Sequence, residues 1–345
     1  MTKIVCVGDI HVSDRAPASA THEYTDDIIA MLKWVADYAN EIDADAVVWA
    51  GDVFHHKSPG RNSHELVLKM IDVVKYHQVP LWCVTGNHDI SNGIVDSVHE
   101  KQPLGVLYAA GLQELVGWHH SLPLFGVPWR ETWTEPGDAW KALAGWRCDD
   151  GVTTRASLGL IDLSRALVVT HAPIYPPGEA EKQLFDLVPL RGTGGLSEAM
   201  GNRGFLYYGH IHEDHGIFEV EGVTYANMGA ISRGSLHEYN LERKIKVAVW
   251  EDPYVPGLVY PEGERPSPTF TEVDVPHKPA SEAFRLAEVM EEREDKMSLE
   301  SFLSEVGQRT LDIVGTGSVI EHIRTRQDVP EGVRNRAIQL IEEVS

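Results

Sequence analysis

Hydrophobic and polar positions in the first half of the chain alternate between two textures. Short β-branched or aromatic runs, Ile4–Val7, Ala46–Ala50 and Leu81–Thr85, are apolar but for Thr85 and too brief for helices, and they predict buried strands. Between them lie longer stretches striped at helical spacing. Asp26–Asn40 brings Ile28, Ile29, Leu32, Val35, Ala36 and Ala39 onto one face and predicts a helix. A second helix is predicted from a cap at Asn62 or Ser63 through His77, with Leu66, Met70, Val73, Val74 and His77 aligned, and a third over Ile94–Ala110. From Leu122 the texture changes to short strands between Gly and Pro turns. Leu167–Thr170 is one such strand, and Phe205–Trp250 reads as a meander of Phe205–Tyr208, Gly216–Val220, Thr224–Ala226, Ile231–Ser232 and Lys244–Trp250. A β-α half followed by a β-rich half predicts an α/β fold of two mixed sheets packed face to face, with helices outside.

The segment Pro253–Pro279 is dense in proline and lacks periodicity, so an extended linker or strap is predicted there. A charged helical tail follows, expected as Ser281–Glu294, Ser298–Val314 and Ser318–Ile341 with a break near Pro330. The domain organisation expected from this is a main domain over 1–252, a linker or reduced cap over 253–280, and a helical tail over 281–345.

Composition narrows this picture in three places. With 345 residues, 43% of them hydrophobic, the chain can bury a sizeable core. Its three cysteines are odd in number and far apart, with Cys6 and Cys83 inside strand runs, which predicts reduced core thiols rather than a disulfide framework. Met1-Thr2-Lys3-Ile4-Val5-Cys6 enters a strand at once and no apolar run is long enough to span a bilayer, so a cytoplasmic protein without signal peptide or membrane span is expected. The formal charge of −22 opposes a broad electrostatic grip on nucleic acid. Any such grip must be local, supplied by bound metals, a few arginines or a partner.

The candidate chemistry sits immediately after the predicted strands. Asp9 and His11 stand in Val-Gly-Asp-Ile-His, Asp52 in Ala-Gly-Asp-Val-Phe-His, and Asn87, His88 and Asp89 in Gly-Asn-His-Asp. His171 follows in Thr-His-Ala-Pro, and His210 and His212 in Gly-His-Ile-His. Polar residues just past the C-terminal ends of strands are where α/β sheets place ligand chemistry. Mixed carboxylate, imidazole and amide donors suit manganese, iron or zinc, whereas an all-oxygen cage would suit magnesium or calcium. Two such ions roughly 3.5–4 Å apart can clamp a phosphodiester and activate water at neutral pH. One carboxylate must bridge them, and Asp52, alone at its strand end, is the candidate. Asp9, His11 and one C-terminal histidine complete one shell; Asn87, His171 and the other complete the second. His88 follows Asn87 directly, so its side chain points elsewhere and is placed to protonate a leaving alkoxide. Asp89 either orients His88 or ties down the loop.

These motifs, in this order, resemble the signature of the calcineurin-like metallophosphoesterases: Asp-x-His, Gly-Asp, Gly-Asn-His-Asp/Glu, His and Gly-His-x-His. Within that superfamily the likeness is to the double-strand-break-repair nucleases of the SbcD and meiotic recombination eleven family. It is carried by Gly51-Asp52-Val53-Phe54-His55, by Tyr207-Tyr208-Gly209-His210-Ile211-His212, and by Tyr225–Arg233, and it covers roughly 1–250. The resemblance implies a four-layer αββα sandwich. It implies that Asp9, His11, Asp52 and His212 hold one metal and that Asp52, Asn87, His171 and His210 hold the other. It implies His88 as general acid and His55 as a transition-state contact, although His56 is equally well placed by sequence. Two divalent ions, most readily Mn2+ with Fe, Zn or Mg as alternatives, would be the cofactors. The implied activity is DNA exonuclease or endonuclease cleavage in repair, recombination or end processing. The implied partners are DNA, an SMC-like ATPase of the SbcC type bound through the C-terminal helices, and a second copy of the chain in a homodimer. The 253–279 stretch is shorter than that family's usual DNA-capping domain.

An alternative within the same superfamily is a nucleotide or cyclic-nucleotide phosphodiesterase or phosphatase, which the acidic charge would suit. A phosphoprotein phosphatase is disfavoured, because Val53-Phe54-His55-His56-Lys57 stands where an Arg-Gly would grip phosphate. A catalytically silent scaffold is disfavoured by the complete ligand set. Trp118, Trp129, Trp133, Trp140 and Trp146 crowd one segment beside Arg130 and Lys141; core or lid packing is the plainer reading and a base-stacking platform the sharper one. Arg61, Arg130 and Arg233 are read as solvated positions within reach of phosphate, and Glu288–Asp295 as a solvated helix face.

Overall fold

The computed structural model describes residues 1–15, 17, 20–90, 98–119, 121–129, 165–179, 187–192, 195–234, 238–255, 258, 260–261, 266–285, 323–325 and 329–344. The chain forms two compact units, Met1–Ala283 and Phe284–Ser345.

In the first unit the strands are β1 (Thr2–Val7), β2 (Ala46–Trp49), β3 (Leu81–Cys83), β4 (Gln113–Glu114), β5 (Gly117–Trp118), β6 (Leu124–Val127), β7 (Leu167–His171), β8 (Gly204–Gly209), β9 (Asp214–Val220), β10 (Val223–Met228), β11 (Lys246–Asp252) and β12 (Thr269–Asp274). The helices are α1 (Tyr24–Glu41), α2 (His64–Tyr76), α3 (Val98–Lys101), α4 (Pro103–Ala110), α5 (Leu196–Ala199), α6 (Glu238–Glu242) and α7 (Ala280–Ala283). One six-stranded sheet has the order β12-β11-β1-β2-β3-β4 and the other β5-β6-β7-β8-β10-β9. Both are mixed: β1, β2, β3 and β4 run parallel, as do β6, β7 and β8, while β11, β12, β5 and β9 pair antiparallel. This is the α/β sandwich of two mixed sheets expected from the sequence.

Strand alternation decides which side chains face which layer. Ile4 and Cys6 of β1, Leu167 and Val169 of β7, Tyr207 of β8, and Ala226 and Met228 of β10 share one buried cluster with Trp250, filling the space between the sheets. Their neighbours Val168, Leu206, Tyr208, Val223 and Tyr225 face the opposite side of the second sheet and pack with Ile174, Leu196 and Met200. Each fully buried Ile, Leu, Val or Met among them contributes about 1.5–3 kcal/mol relative to exposure.

The predicted helices form where their stripes require. Helix α1 buries Ile28, Ile29, Leu32, Val35, Ala36 and Ala39. Ser63 rather than Asn62 caps α2, its hydroxyl accepting from Leu66 N at 3.0 Å, while Asn62 donates to the carbonyls of His56 and Ser58. The expected third helix is divided: α3 ends before Gln102 and α4 starts at Pro103, whose ring cannot continue the preceding turn. Its first residues, 94–97, lie outside the described residues.

Two expectations are corrected. Ile231–Ser232 is not a strand, because Gly229 turns the chain out of β10 at φ +71 and the segment joins the loops at the strand ends. The 253–280 stretch is not wholly extended linker, since Thr269–Asp274 adds an edge strand to β11, with Phe270 opposite Trp250. In the second unit, helix α8 (Glu331–Val344) starts directly after Pro330, where the break was expected. The helices expected over Ser298–Val314 and most of Ser281–Glu294, and the acidic face Glu288–Asp295, lie outside the described residues. Among the described residues no helix is long and apolar enough to cross a membrane.

His77 closes α2 and supplies a test of the packing. Its ring lies edge-on to Trp49 at 6.3 Å, and among the described residues neither ring nitrogen has a hydrogen-bond partner. Burial pushes this imidazole down to about 4, against the weaker pull of Asp37. The unfolded chain therefore binds more protons below pH 6.5, so the native advantage is complete above that value and is lost as pH falls to and through about 4. His77→Leu should remove roughly 2 kcal/mol of the stability difference between pH 7 and pH 5. Urea unfolding at both values checks this; an unchanged difference would mean that His77 is not held neutral.

Candidate metal centre

Parallel strands aim their C-terminal ends at one rim, and the rim receives Asp9 and His11 after β1, Asp52 after β2, Asn87 and His88 after β3, His171 at the end of β7, and His210 and His212 after β8. The loops after β1 and β2 are zipped together by backbone bonds: His11 N to Asp52 O at 2.8 Å, Val12 N to Val53 O at 3.0 Å, and His55 N to Val12 O at 2.9 Å. The loop after β8 is held from below by Asn227, whose amide donates to the carbonyls of Tyr208 and Ile211. Ile231 N donates to Asp9 O and Ala230 N to His212 O, which is why the chain leaves β10 where it does.

Three of the six described non-glycine residues with positive φ belong to this rim: His11 at +48°, Asp52 at +47° and His210 at +82°. Left-handed backbone at non-glycine residues costs about 1–3 kcal/mol each and clusters at functional sites. The glycines allow the strand ends to approach. A β-carbon at Gly209 would stand 2.5 Å from Asp9 Oδ1 and 2.6 Å from Ala50 O, and one at Gly86 would collide with the Asp52 carboxylate.

The side chains converge in two adjoining groups. Asp9, His11 and His212 form the first: His11 Nε2 faces His212 Nε2 at 2.8 Å, and His212 Nε2 lies 3.5 Å from Asp9 Oδ2. Asp52, His171 and His210 form the second, joined by Asn87, whose Oδ1 is 2.9 Å from His171 Nε2 and 3.0 Å from His210 Nδ1. Asp52 stands between them. Its Oδ2 lies 3.4 Å from His11 Nε2 and 3.3 Å from His171 Nε2, while Oδ1 accepts from His88 N at 2.7 Å.

The electrostatics are those of a cation site. Asp9 and Asp52 are buried at 0% and 1% exposure, and among the described residues no lysine or arginine pairs with either. Burial raises the Asp9 carboxyl, and burial lowers His11. Asp52, despite its burial, is held far below the carboxylate range by His171 and His11. His171 is the counterpart: against its burial, Asp52 lifts it to about 9. Burial and the neighbouring His171 push His210 down to about 3. Buried carboxylates with only imidazoles and an amide for company form a donor set that fits divalent ions, and the mixed nitrogen and oxygen character suits manganese, iron or zinc.

The remaining candidates separate. His88 and His55 join His11 in a third cluster, with ring centroids 4.9 Å (His11–His88) and 5.6 Å (His11–His55) apart. His88 Nδ1 lies 2.7 Å from the His55 carbonyl. The His56 ring lies edge-on to His55 at 4.7 Å, and its imidazole is lowered by burial, then by the charges of Arg61 and Arg15. Asp89 accepts from Gly86 N and Val53 N, both at 3.0 Å, and burial with the Asp52 charge pushes it up to about 7. Of the two roles the sequence left open for Asp89, these bonds are those of a loop tie, while the His55 carbonyl is what holds the His88 ring. No side-chain pattern could have revealed a backbone acceptor.

Arg233 is not solvated: it is buried at 8% exposure and donates to the Lys278 carbonyl. Arg61 is exposed, and Arg130 lies outside the described residues with Lys141, Trp133, Trp140 and Trp146. Trp118 and Trp129 pack against the outer core of the second sheet, as the plainer reading had it. Trp129 also does what the sequence did not disclose, laying its ring 4.7 Å from His210.

Sheet, rim and paired donor groups together define a metallophosphoesterase-type protein. The calcineurin-like phosphoesterase family matches residues 2–214, and the chain belongs to that family. The DNA double-strand break repair protein Mre11 of Archaeoglobus fulgidus is 31% identical over 88 residues, 26% of this chain and 20% of that protein, so the match spans about a fifth of the relative's length. Among solved structures, a novel archaeal phosphodiesterase is similar at 12% identity and a TM-score of 0.35, over 79% of this chain and 99% of that one. A dimetal phosphatase from Danio rerio is similar at 12% identity and a TM-score of 0.40, over 72% and 92%.

Proposed function

We propose that this phosphoesterase is a metal-dependent DNA nuclease. Asp9, His11, Asp52 and His212 would hold one divalent ion, and Asp52, Asn87, His171 and His210 the other. The observation that carries the two-ion reading is Asp52 Oδ2, which stands between His11 Nε2 and His171 Nε2 at nearly equal distances of 3.4 and 3.3 Å. Bound there, divalent ions, Mn2+ above all, polarise the phosphoryl group and make water nucleophilic at neutral pH.

The chain's own residues do the rest. The His171 Nδ1–H donates to Ala50 O, so Nε2, which faces Asp52 and Asn87, is the nitrogen that would give up its proton and offer its lone pair to an ion. The His55 carbonyl can only accept, so Nδ1 of His88 carries a hydrogen and Nε2 is the nitrogen that delivers a proton to the departing sugar oxygen. His55, beside His88 and His11, contacts the phosphate oxygens during transfer. Asp89 keeps the Gly86–His88 turn against Val53, so that neither Asn87 nor His88 has to be ordered when substrate arrives.

DNA as substrate is supported by the likeness to the Mre11 protein and by the Gly51–His55 and Tyr207–His212 motifs. On the same grounds we infer a role in DNA repair, recombination or end processing, an SMC-like ATPase partner that engages the residues after Ser281, a cytoplasmic location, and a homodimer. Leu68 and Tyr76 on α2 and Val106 on α4 are exposed and available to such a dimer. One observation favours a second reading: the charge of −22 suits a nucleotide or cyclic nucleotide better than a long polyanion. Incubation of the chain and Mn2+ with linear duplex DNA, single-stranded DNA, nucleoside monophosphates and cyclic nucleotides separates them. DNA degradation is the expected result; nucleotide turnover with DNA intact, even with the ATPase partner present, would replace the first reading by the second.

A further inference from the structure

We propose that Trp129 is the positioning residue for His210, and through His210 for the second of the two ion sites; the inference rests on the two-ion reading above. The two histidines of that site are held differently. His171 is fixed by the Ala50 carbonyl at 2.8 Å from its Nδ1, the arrangement that commonly orients a ligating imidazole. His210 turns Nδ1 toward Asn87 Oδ1 at 3.0 Å, and among the described residues no hydrogen bond reaches its other nitrogen. Its backbone sits at φ +82, so local conformational preference does not hold it either.

Beyond the Asn87 contact, aromatic packing holds the ring on two sides. Trp129 lies 4.7 Å away at an interplanar angle of 36°, and His171 lies 5.2 Å away at 73°. The same indole is edge-on to His171 at 5.9 Å. Trp129 is itself anchored: its backbone N donates to Thr85 O at 2.9 Å, two residues before Asn87, and its ring rests on the outer core of the second sheet. One residue thus links the strand end that presents Asn87 to the rings of His171 and His210. An imidazole that gives its lone pair to a cation becomes electron-poor, and an indole face within about 6 Å attracts it. In the first group His11 and His212 pack on each other at 4.5 Å, and no indole contact to either ring occurs among the described residues. The effect is therefore confined to the Asn87, His171 and His210 side.

Mn2+ titration of the full chain by calorimetry tests this, with tryptophan emission followed in parallel. The wild type should take up two ions. Trp129→Leu should keep one at wild-type affinity and bind the other about 10–100-fold more weakly. Trp129→Phe, which retains a ring and the packing, should keep both ions but lose the emission change that accompanies the second. Two ions bound by Trp129→Leu as in the wild type, both weakened equally, or an emission change that persists in Trp129→Phe would each overturn the proposal. A wild-type chain that takes up no second ion would instead remove the two-ion reading, and this inference with it.

Discussion

His88→Ala is expected to keep both metal equivalents and to lose about 10²–10⁴-fold in turnover of DNA or any other ester with an alkoxide leaving group. Its ring touches the centre from outside the paired donor groups: Nδ1 is engaged by the His55 carbonyl, and only its backbone N reaches Asp52. Truncating the side chain therefore leaves that backbone bond and the ion-holding residues in place. What it removes is the proton that a sugar oxygen needs in order to depart. A p-nitrophenolate leaves without one, so the same variant should hydrolyse bis-p-nitrophenyl phosphate at close to the wild-type rate. The contrast between the two leaving groups, measured on one preparation alongside metal content, assigns the role. An equal loss on both substrates would place His88 in transition-state contact or in the architecture of the turn, and no loss on either would remove it from the mechanism.

Asp52→Ala is expected to release both ions together and to reduce turnover to background. Asp52 Oδ2 is the atom shared between the first and second groups, whereas the His212 ring reaches only the first and His210 only the second. Metal affinity should fall by more than the roughly 10–100-fold that loss of an outer partner costs. His212→Ala should by contrast give up one ion and keep the other. Metal analysis of dialysed protein reads the difference. Two equivalents retained by Asp52→Ala would refute the bridging assignment, and one retained would place Asp52 in a single group.

The comparison of these two residues shows what was legible in the sequence and why. The rim residues follow short apolar runs directly, and a strand that buries both faces leaves its C-terminal neighbours nowhere to go but the rim, so Asp9, His11, Asp52, Asn87, His171, His210 and His212 were all readable as one assembly. The helical stripes of α1 and α2 were equally direct. What side-chain patterns do not encode is backbone. The His55 carbonyl that holds His88, the zip between the loops after β1 and β2, and the turn at Gly229 that converts an apparent strand at Ile231–Ser232 into a support for Asp9 and His212 are main-chain features. Edge strand β12 was hidden by the prolines around it, and it pairs through Thr269–Asp274, which contains none. Trp129 was visible as a residue but not as a contact, because its distance from His210 in sequence, 81 positions, carries no periodic signal.

Hydrolysis of bis-p-nitrophenyl phosphate by the purified full chain, with Mn2+ and with chelator, beside Asp52→Ala, tests the two-ion chemistry at its root. Turnover should require the ion, vanish with chelator and be absent in Asp52→Ala. Turnover unaffected by chelator, or no turnover by a chain shown to hold two ions, would contradict it.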